Sequence, residues 1–180
     1  MTKNITRVLS DIDCKKCCLH KYRKQIVPGF GNINTDLMFI AQNPGREEDK
    51  EGFPLIGRSG KKLESLLKDI GIERKEVFLS NVVKCLTLEN RVPFYDEIKS
   101  CQPYIIEEIR KIKPKLIVTL GRVPSNWWAN GKQYEWFTYY PEKRWFPVWH
   151  PSYLCRFPNK IEKWQSEMKR ILTELKFIGE

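Results

Sequence analysis

Long hydrophobic runs are missing from this chain of 180 residues. No stretch has the length of apolar residues that a membrane-spanning helix requires. The opening Met1-Thr2-Lys3-Asn4-Ile5-Thr6-Arg7 lacks the apolar segment of a signal peptide. The chain therefore reads as cytoplasmic or nucleoid-associated, not secreted. Internal repeats and low-complexity tracts are also missing, so residues 1–180 read as one domain, large enough for a sizeable core. Histidine is scarce: His20 and His150 are the two. Acidic residues are outnumbered, 22 against 32 Lys and Arg, which leaves a net charge of +10 and a pI near 9.3. That balance favours a polyanionic partner, nucleic acid first and an anionic membrane surface second.

Hydrophobic residues make up 41% of the chain, an ordinary globular share. Leu37-Met38-Phe39-Ile40-Ala41 reads as a buried strand, and Gln42-Asn43-Pro44-Gly45 turns it. A charged loop, Arg46 to Glu51, follows. Gly57-Arg58-Ser59-Gly60 then opens a helix whose Leu63, Leu66, Leu67 and Ile70 recur at helical spacing, with Ser59 as N-cap. Val27 to Asn32 reads as a loop. Val77 to Val83 and Lys115 to Gly121 read as further buried strands, separated by a helix over 95–112 that Pro114 ends. A short strand, Phe146 to Trp149, precedes His150-Pro151-Ser152, and a helix from Lys160 to Phe177 covers the core. Residues 124–147 are crowded with aromatics. They suit either a DNA-facing aromatic surface or a β-hairpin packed on the sheet edge. Strands alternating with helices predict an α/β fold, a parallel sheet with helices on both faces.

Polar residues cluster where the strands end. In such folds, pockets form at the carboxyl ends of the strands, and a glycine-rich loop running into a helix N-terminus suits a phosphate. Asn81 carries a donor and an acceptor together, so it fits a base edge that has a carbonyl beside an N–H. An Asx turn or a helix cap would use the same residue. Cys14 and Cys17, three apart in a basic segment, can chelate from a tight turn. With Cys85 and Cys101, which have fifteen residues between them, they make four thiolates. This spacing is open to tetrahedral zinc or to a [4Fe–4S] cluster. Cys18 could replace Cys17, and Cys155 reads as a buried free thiol.

The order and spacing of these motifs resemble the uracil-DNA glycosylase superfamily, most closely its iron–sulfur branch, family 4, over roughly residues 14 to 175. The specific parts are Asn81-Val82-Val83-Lys84-Cys85 with Cys101, Gly57-Arg58-Ser59-Gly60, and His150-Pro151-Ser152-Tyr153-Leu154. The resemblance implies a three-layer α/β/α sandwich around a four-stranded parallel sheet, and a monomer that acts on single- or double-stranded DNA. It implies that an extruded base is bound and its N-glycosidic bond hydrolysed, leaving an abasic site. A structural [4Fe–4S] cluster would be held by Cys14, Cys17, Cys85 and Cys101, with residues 1–30 as the cluster-binding segment.

By the same resemblance Gln42 and Asn43 bind the base and position a water, Asn81 reads the Watson–Crick edge, and His150 stabilises charge on the departing base. Arg58, Ser59, Ser152, Tyr153, Leu154 and Arg156 would face DNA, the 150–156 loop entering it near the flipped nucleotide. Two departures stand out. The branch has Gly-Glu-Ala-Pro-Gly where this chain has Ala41-Gln42-Asn43-Pro44-Gly45; the third residue is Asn, as in the Gly-Ile-Asn-Pro-Gly of the mismatch-specific thymine/uracil branch. Leu55 stands where the branch has a stacking Phe, and Phe53 is the residue that could compensate. Uracil is the first expectation; thymine opposite guanine, hypoxanthine or another modified base are the alternatives. A non-catalytic DNA-binding member of the same fold, or a zinc-ribbon-like module on a coincidental α/β body, are readings from other classes.

Overall fold

The apolar run Leu37–Ala41 is buried at every position and faces both ways. Leu37, Phe39 and Ala41 enter one hydrophobic core, while Met38 and Ile40 enter another. A strand buried on both faces belongs at the centre of a sheet covered by helices on both sides. The computed structural model, which describes residues 5–8, 13–177 and 179, has this arrangement. Its strands are β1 (Ile5–Val8), β2 (Gly29–Asn32), β3 (Leu37–Ala41), β4 (Phe78–Asn81), β5 (Leu116–Leu120) and β6 (Trp145–Val148). They lie in the order β1-β2-β4-β3-β5-β6. The four strands β4, β3, β5 and β6 are parallel, as expected. Two antiparallel strands, β1 and β2, extend the β4 edge. The expected loop at 27–32 thus contains β2; in Gly-Phe-Gly-Asn only Phe30 favours a strand, and the segment is held by pairing to β1 and β4.

The helices are α1 (Arg46–Glu51), α2 (Arg58–Asp69), α3 (Tyr95–Ile112), α4 (Arg122–Ala129), α5 (Pro151–Arg156) and α6 (Ile161–Glu174). Side chains of α2, α5 and α6 fill the first core. Side chains of α3 and α4 and of the N-terminal segment fill the second. The result is an α/β/α sandwich. Among the described residues no helix is long and apolar enough to cross a membrane.

Four local expectations are corrected. Residues 46–51 are helical: the Glu48 carboxylate reaches back to the Gly45 N–H at 3.0 Å, and Gly52, at φ 77°, closes the turn. The N-cap of α2 is Gly57, two residues earlier than the Ser59 expected. Residues 124–147 contain a short hairpin only at their end, where Tyr140 and Trp145 pair antiparallel and the Phe137 N–H donates to Pro147 O at 2.9 Å on the β6 edge. They begin inside α4, which has Pro124 in its first turn and Asn130 in the left-handed conformation at its end. Their largest rings go inward, with Phe146 fully buried, Trp145 1% exposed and Phe137 6%. The 150–156 segment is not a loop but α5, capped by the side chain of His150.

Candidate active site

The parallel strands all end at one edge. Ala41 lies opposite Asn81 in register, and Leu120 lies opposite Val148. The next residues on each strand are therefore neighbours: Gln42-Asn43 after β3, Val82 after β4, Gly121 after β5 and Trp149-His150 after β6. Beyond the strands, Val82 N–H still donates to Ala41 O at 2.9 Å and Gly121 N–H to Val148 O at 2.8 Å. Gly121 has φ 89°, and a Cβ there would come within 3.0 Å of His150 Cβ, so glycine lets the imidazole close on β5.

Asn43 is pinned by three contacts. Its Nδ2 donates to Pro44 O at 2.8 Å and to Asn90 Oδ1 at 2.8 Å. Its Oδ1 accepts from Gln42 Nε2 at 2.7 Å, which leaves that carbonyl a second lone pair. Gln42 Nε2 also approaches Arg91 O at 3.4 Å, so its donor is engaged within the protein. Asn81 is 2% exposed, and its Nδ2 is buried without a hydrogen-bond partner. A buried, unpaired amide donor costs about 1–3 kcal/mol; among the described residues Trp128 Nε1 is the other buried side-chain group without a partner.

His150 is half-buried, and its protonation state is legible. Its Nδ1 accepts the Ser152 N–H at 3.1 Å and contacts Ser152 Oγ at 2.8 Å. An amide can only donate, so Nδ1 is bare and Nε2 carries the proton. Burial, helped by the Arg156 cation, pushes the imidazole pKa down to about 4. At neutral pH His150 is therefore a neutral Nε2–H donor.

A wall is built over α2. Leu55 is 6% exposed and in the left-handed conformation, φ 53°, where strain is stored at functional sites. Arg74 holds it there, its guanidinium donating to Leu55 O and Pro54 O at 2.7 Å each. Burial lowers the Arg74 pKa. Gly60 makes room, since a Cβ there would lie 1.8 Å from Leu55 O. The Glu48 carboxylate accepts from Gly45 at 3.0 Å, Ile56 at 3.0 Å and Gly57 at 2.8 Å, tying the Asn-Pro-Gly turn to this wall. Phe53, expected to compensate for Leu55, meets the Phe30 ring edge-on at 4.9 Å, over β2.

The sequence reading passed over Glu48, Arg74 and Asn90. A Glu three residues past Gly45 was a capping signal for the first; nothing in the sequence marked the other two.

Of the residues expected at DNA, Arg58 and Arg156 are exposed, and Ser59, Ser152 and Tyr153 are half-buried. Leu154 is fully buried in the first core, so it does not enter DNA. Helical periodicity turns it inward, and the neighbouring exposed ring is Phe157, at 45%. Ser152 is spent on His150, and the Tyr153 ring lies between those of Trp149 and Phe157.

The cysteines gather on the other side of the sheet. Cys14, Cys17, Cys85 and Cys101 line one small apolar cavity with Leu19, Ile26 and Tyr104. Arg23 Nη1 donates to Cys85 Sγ at 3.3 Å, and Lys84 N–H donates to Cys101 Sγ at 3.2 Å. Burial pushes the Cys85 thiol up to about 11 and the Cys101 thiol up to about 12. Cys18 points away, exposed, its Sγ on Glu97 Oε1 at 3.1 Å, so Cys17 is the one that faces the cavity. Among the described residues no three His, Cys, Asp or Glu are placed to share a single metal ion.

Carboxamides on Asn43 and Asn81 and a neutral imidazole on His150 stand at the carboxyl ends of parallel strands, the place where α/β proteins of this class carry their binding sites. The comparisons with known proteins narrow it. The family model described as the uracil DNA glycosylase superfamily matches residues 28–176. A type-4 uracil-DNA glycosylase of Sulfurisphaera tokodaii is 40% identical over 89% of this chain and 79% of its own length. Those of Thermotoga maritima and Archaeoglobus fulgidus are 36% and 34% identical, each over 89% of this chain and over 84% and 87% of their own lengths. The chain belongs to the uracil-DNA glycosylase superfamily.

Proposed function

We propose that this protein removes uracil from DNA by hydrolysing the bond between base and deoxyribose, leaving an abasic site. The observation that carries the reading is the buried Asn81 amide donor with no partner, at the end of a central strand. Uracil brings to it a carbonyl beside an N–H, the pattern one carboxamide satisfies completely. A base paired in the duplex cannot present that edge, so it must be extruded. Leu55 and the chain around it form the apolar wall for the ring. Leucine lacks an aromatic face, so base selection rests on Asn81 more than on stacking.

Cleavage separates charge: the C1′–N bond breaks with its electron pair on the base, and the sugar becomes oxocarbenium-like. The neutral Nε2–H of His150 donates to the base carbonyl over which that negative charge spreads. Asn43 is an amide and takes no proton at neutral pH, so it does not act as a base. Its pinned Oδ1 keeps a lone pair for one water hydrogen, holding the oxygen that adds to C1′; the water's proton balances the released base. Positive net charge draws in the phosphodiester strand, and Arg58 and Arg156 are exposed cations, as are Arg46 and Arg122 at the starts of α1 and α4.

The four-thiol cavity fits a [4Fe–4S] cluster. In such a cluster each thiolate would serve its own iron, which suits four thiols on one cavity of which no three are placed to share a single ion among the described residues. Cys14, Cys17, Cys85 and Cys101 would hold it, with Arg23 and the Lys84 amide bonding to sulfur. A cluster there pins the N-terminal segment to β4 and α3. A brown protein with four irons per chain supports this assignment, and a colourless one with one zinc overturns it.

The test of the main reading is a panel of oligonucleotides, each carrying one lesion base, with the wild type and Asn43→Ala. Uracil should be released first and fastest. Asn43→Ala should bind uracil-containing DNA within a few-fold of wild type and lose about 100-fold or more in single-turnover rate. Equal rates would remove Asn43 from the chemistry, and no release of any base would leave a binding protein.

A further inference from the structure

Between Cys85 and Cys101 the surface breaks an ordinary rule. Leu88 is 53% exposed, Val92 59%, Phe94 57% and Tyr95 79%. Among the described residues, four of the six most exposed large hydrophobic side chains fall in these eight positions. Clustered exposed apolar groups mark interaction sites more often than scattered ones do.

This segment is not a loose loop. The buried Glu97 carboxylate takes Arg91 through two bonds of 2.6 and 2.8 Å and the Phe94 N–H at 2.7 Å. The Arg91 guanidinium lies over the Phe94 ring, 3.8 Å from its centre. Thr87 Oγ1 donates to Arg91 O at 2.7 Å. Glu89 and Asn90 sit in the left-handed conformation, φ 53° and 57°. An ion pair, a capping carboxylate and two strained residues hold the apolar side chains outward. Such pre-organisation reduces what a partner must order on binding.

We propose that Leu88, Val92, Phe94 and Tyr95 form a stacking platform for unpaired bases of the DNA strand beside the extruded nucleotide. The proposal rests on the glycosylase reading given above. Three observations select this occupant. The segment is continuous with the site, because Asn90 bonds Asn43 and Arg91 O meets Gln42. By chain length Phe94 lies no more than about 14 Å from Asn90, a span of about four stacked bases. The segment's one cation is also spent: Arg91 is paired with Glu97, and the charges left exposed, Glu89 and Asp96, are acidic. The platform therefore offers rings and aliphatic faces, suited to bases, and offers phosphates nothing. Unpaired bases can use it and bases kept in a duplex cannot, so it favours single-stranded substrate or locally melted DNA.

The experiment compares the wild type with Phe94→Ala/Tyr95→Ala. Both side chains are mostly in solvent, and the Phe94 N–H bond to Glu97 is a backbone bond that the substitution keeps. A single-stranded oligonucleotide carrying 2′-fluoro-deoxyuridine, which resists hydrolysis, reports binding through 2-aminopurine placed one to four nucleotides to either side. The wild type should quench the 2-aminopurine on one side. The double variant should lose that quench, and its KM for single-stranded uracil DNA should rise by about five- to hundredfold, the range of ring–base stacking. Its KM on duplex DNA should rise less, and kcat should change less than KM on either substrate. Unchanged KM and retained quench overturn the platform, and would leave the patch for a protein partner. Wild-type uracil release, measured alongside, separates this failure from failure of the glycosylase reading.

Discussion

Two polar groups sit side by side on β4 and meet opposite fates. Ser80, fully buried, belongs to a closed network. Lys84 Nζ donates to Ser80 Oγ at 2.6 Å, to Asn81 O at 2.9 Å and to Glu108 Oε2 at 2.7 Å. Ser80 Oγ donates to the same carboxylate oxygen at 2.5 Å, and Gly29 N–H takes the other at 2.7 Å. The three protons of the ammonium and both carboxylate oxygens are used. One residue on, and on the other side of the strand, Asn81 Nδ2 has no partner. The same strand in the same interior thus holds a satisfied network and an orphan amide. Closure marks architecture, since it fixes β2, β4 and α3 together. On the proposed reading the open valence is where the extruded base completes the protein.

Breaking the closed side should have the largest effect. Lys84→Met leaves the Glu108 carboxylate buried without its cation, a change that typically costs about 3–5 kcal/mol. Urea unfolding should show it as a lowered midpoint. Adding Glu108→Gln, which removes the charge and keeps an acceptor for Gly29, should recover a large part. If the single variant unfolds with wild type, the network does not anchor the sheet.

Much of this division was legible in the sequence. The strand at 37–41 and the helix at 95–112 follow from apolar periodicity, because burial on a face is a local pattern. Asn43, Asn81 and His150 were legible as strand-end residues, and the four cysteines by spacing. The sequence did not expose what depends on a partner distant in the chain. Glu48 and Arg74 look like solvated charges until backbone N–H and C=O groups from other segments meet them. Leu154 reads as a loop residue until α5 forms and turns it into the core. The aromatics of 134–146 suit a surface or an edge hairpin equally, because nothing local says that the rings of β6 are buried between the layers. Whether Asn81 is satisfied could be learned only once its neighbours were in place.

His150 lies between the two cases, satisfied at Nδ1 and open at Nε2. Its pKa is near 6.5 in the unfolded chain and about 4 in the folded protein. The unfolded state thus binds the extra proton first as pH falls. The stabilisation is complete above pH 6.5 and is lost between there and pH 4, roughly 3 kcal/mol over the window. Comparing wild type with His150→Gln by denaturant titration from pH 7 to pH 4 should isolate this slope, because other carboxylates contribute to both. The acid limb of kcat/KM should fall near pH 4 instead of 6.5, since a neutral donor is required. An imidazole NMR titration with a midpoint near 6.5 would overturn the depressed pKa and the acid limb expected from it.

The smallest effect on stability should come from filling the open valence, and that is what makes it informative. Asn81→Leu replaces the carboxamide by a side chain of nearly the same shape and removes a buried donor that nothing accepts. The unpaired group costs about 1–3 kcal/mol in the wild type, so the variant should unfold no earlier and can gain. Lys84 still has the Asn81 backbone carbonyl, which the substitution does not touch. Uracil release should nevertheless fall by 100-fold or more, because the base edge then faces methyl groups and loses both hydrogen bonds on desolvation. A variant that unfolds early would mean that Asn81 serves the fold as Ser80 does. A variant equal in stability but still active would place base reading on another residue. Stability kept while activity is lost would set this amide apart from the closed network beside it.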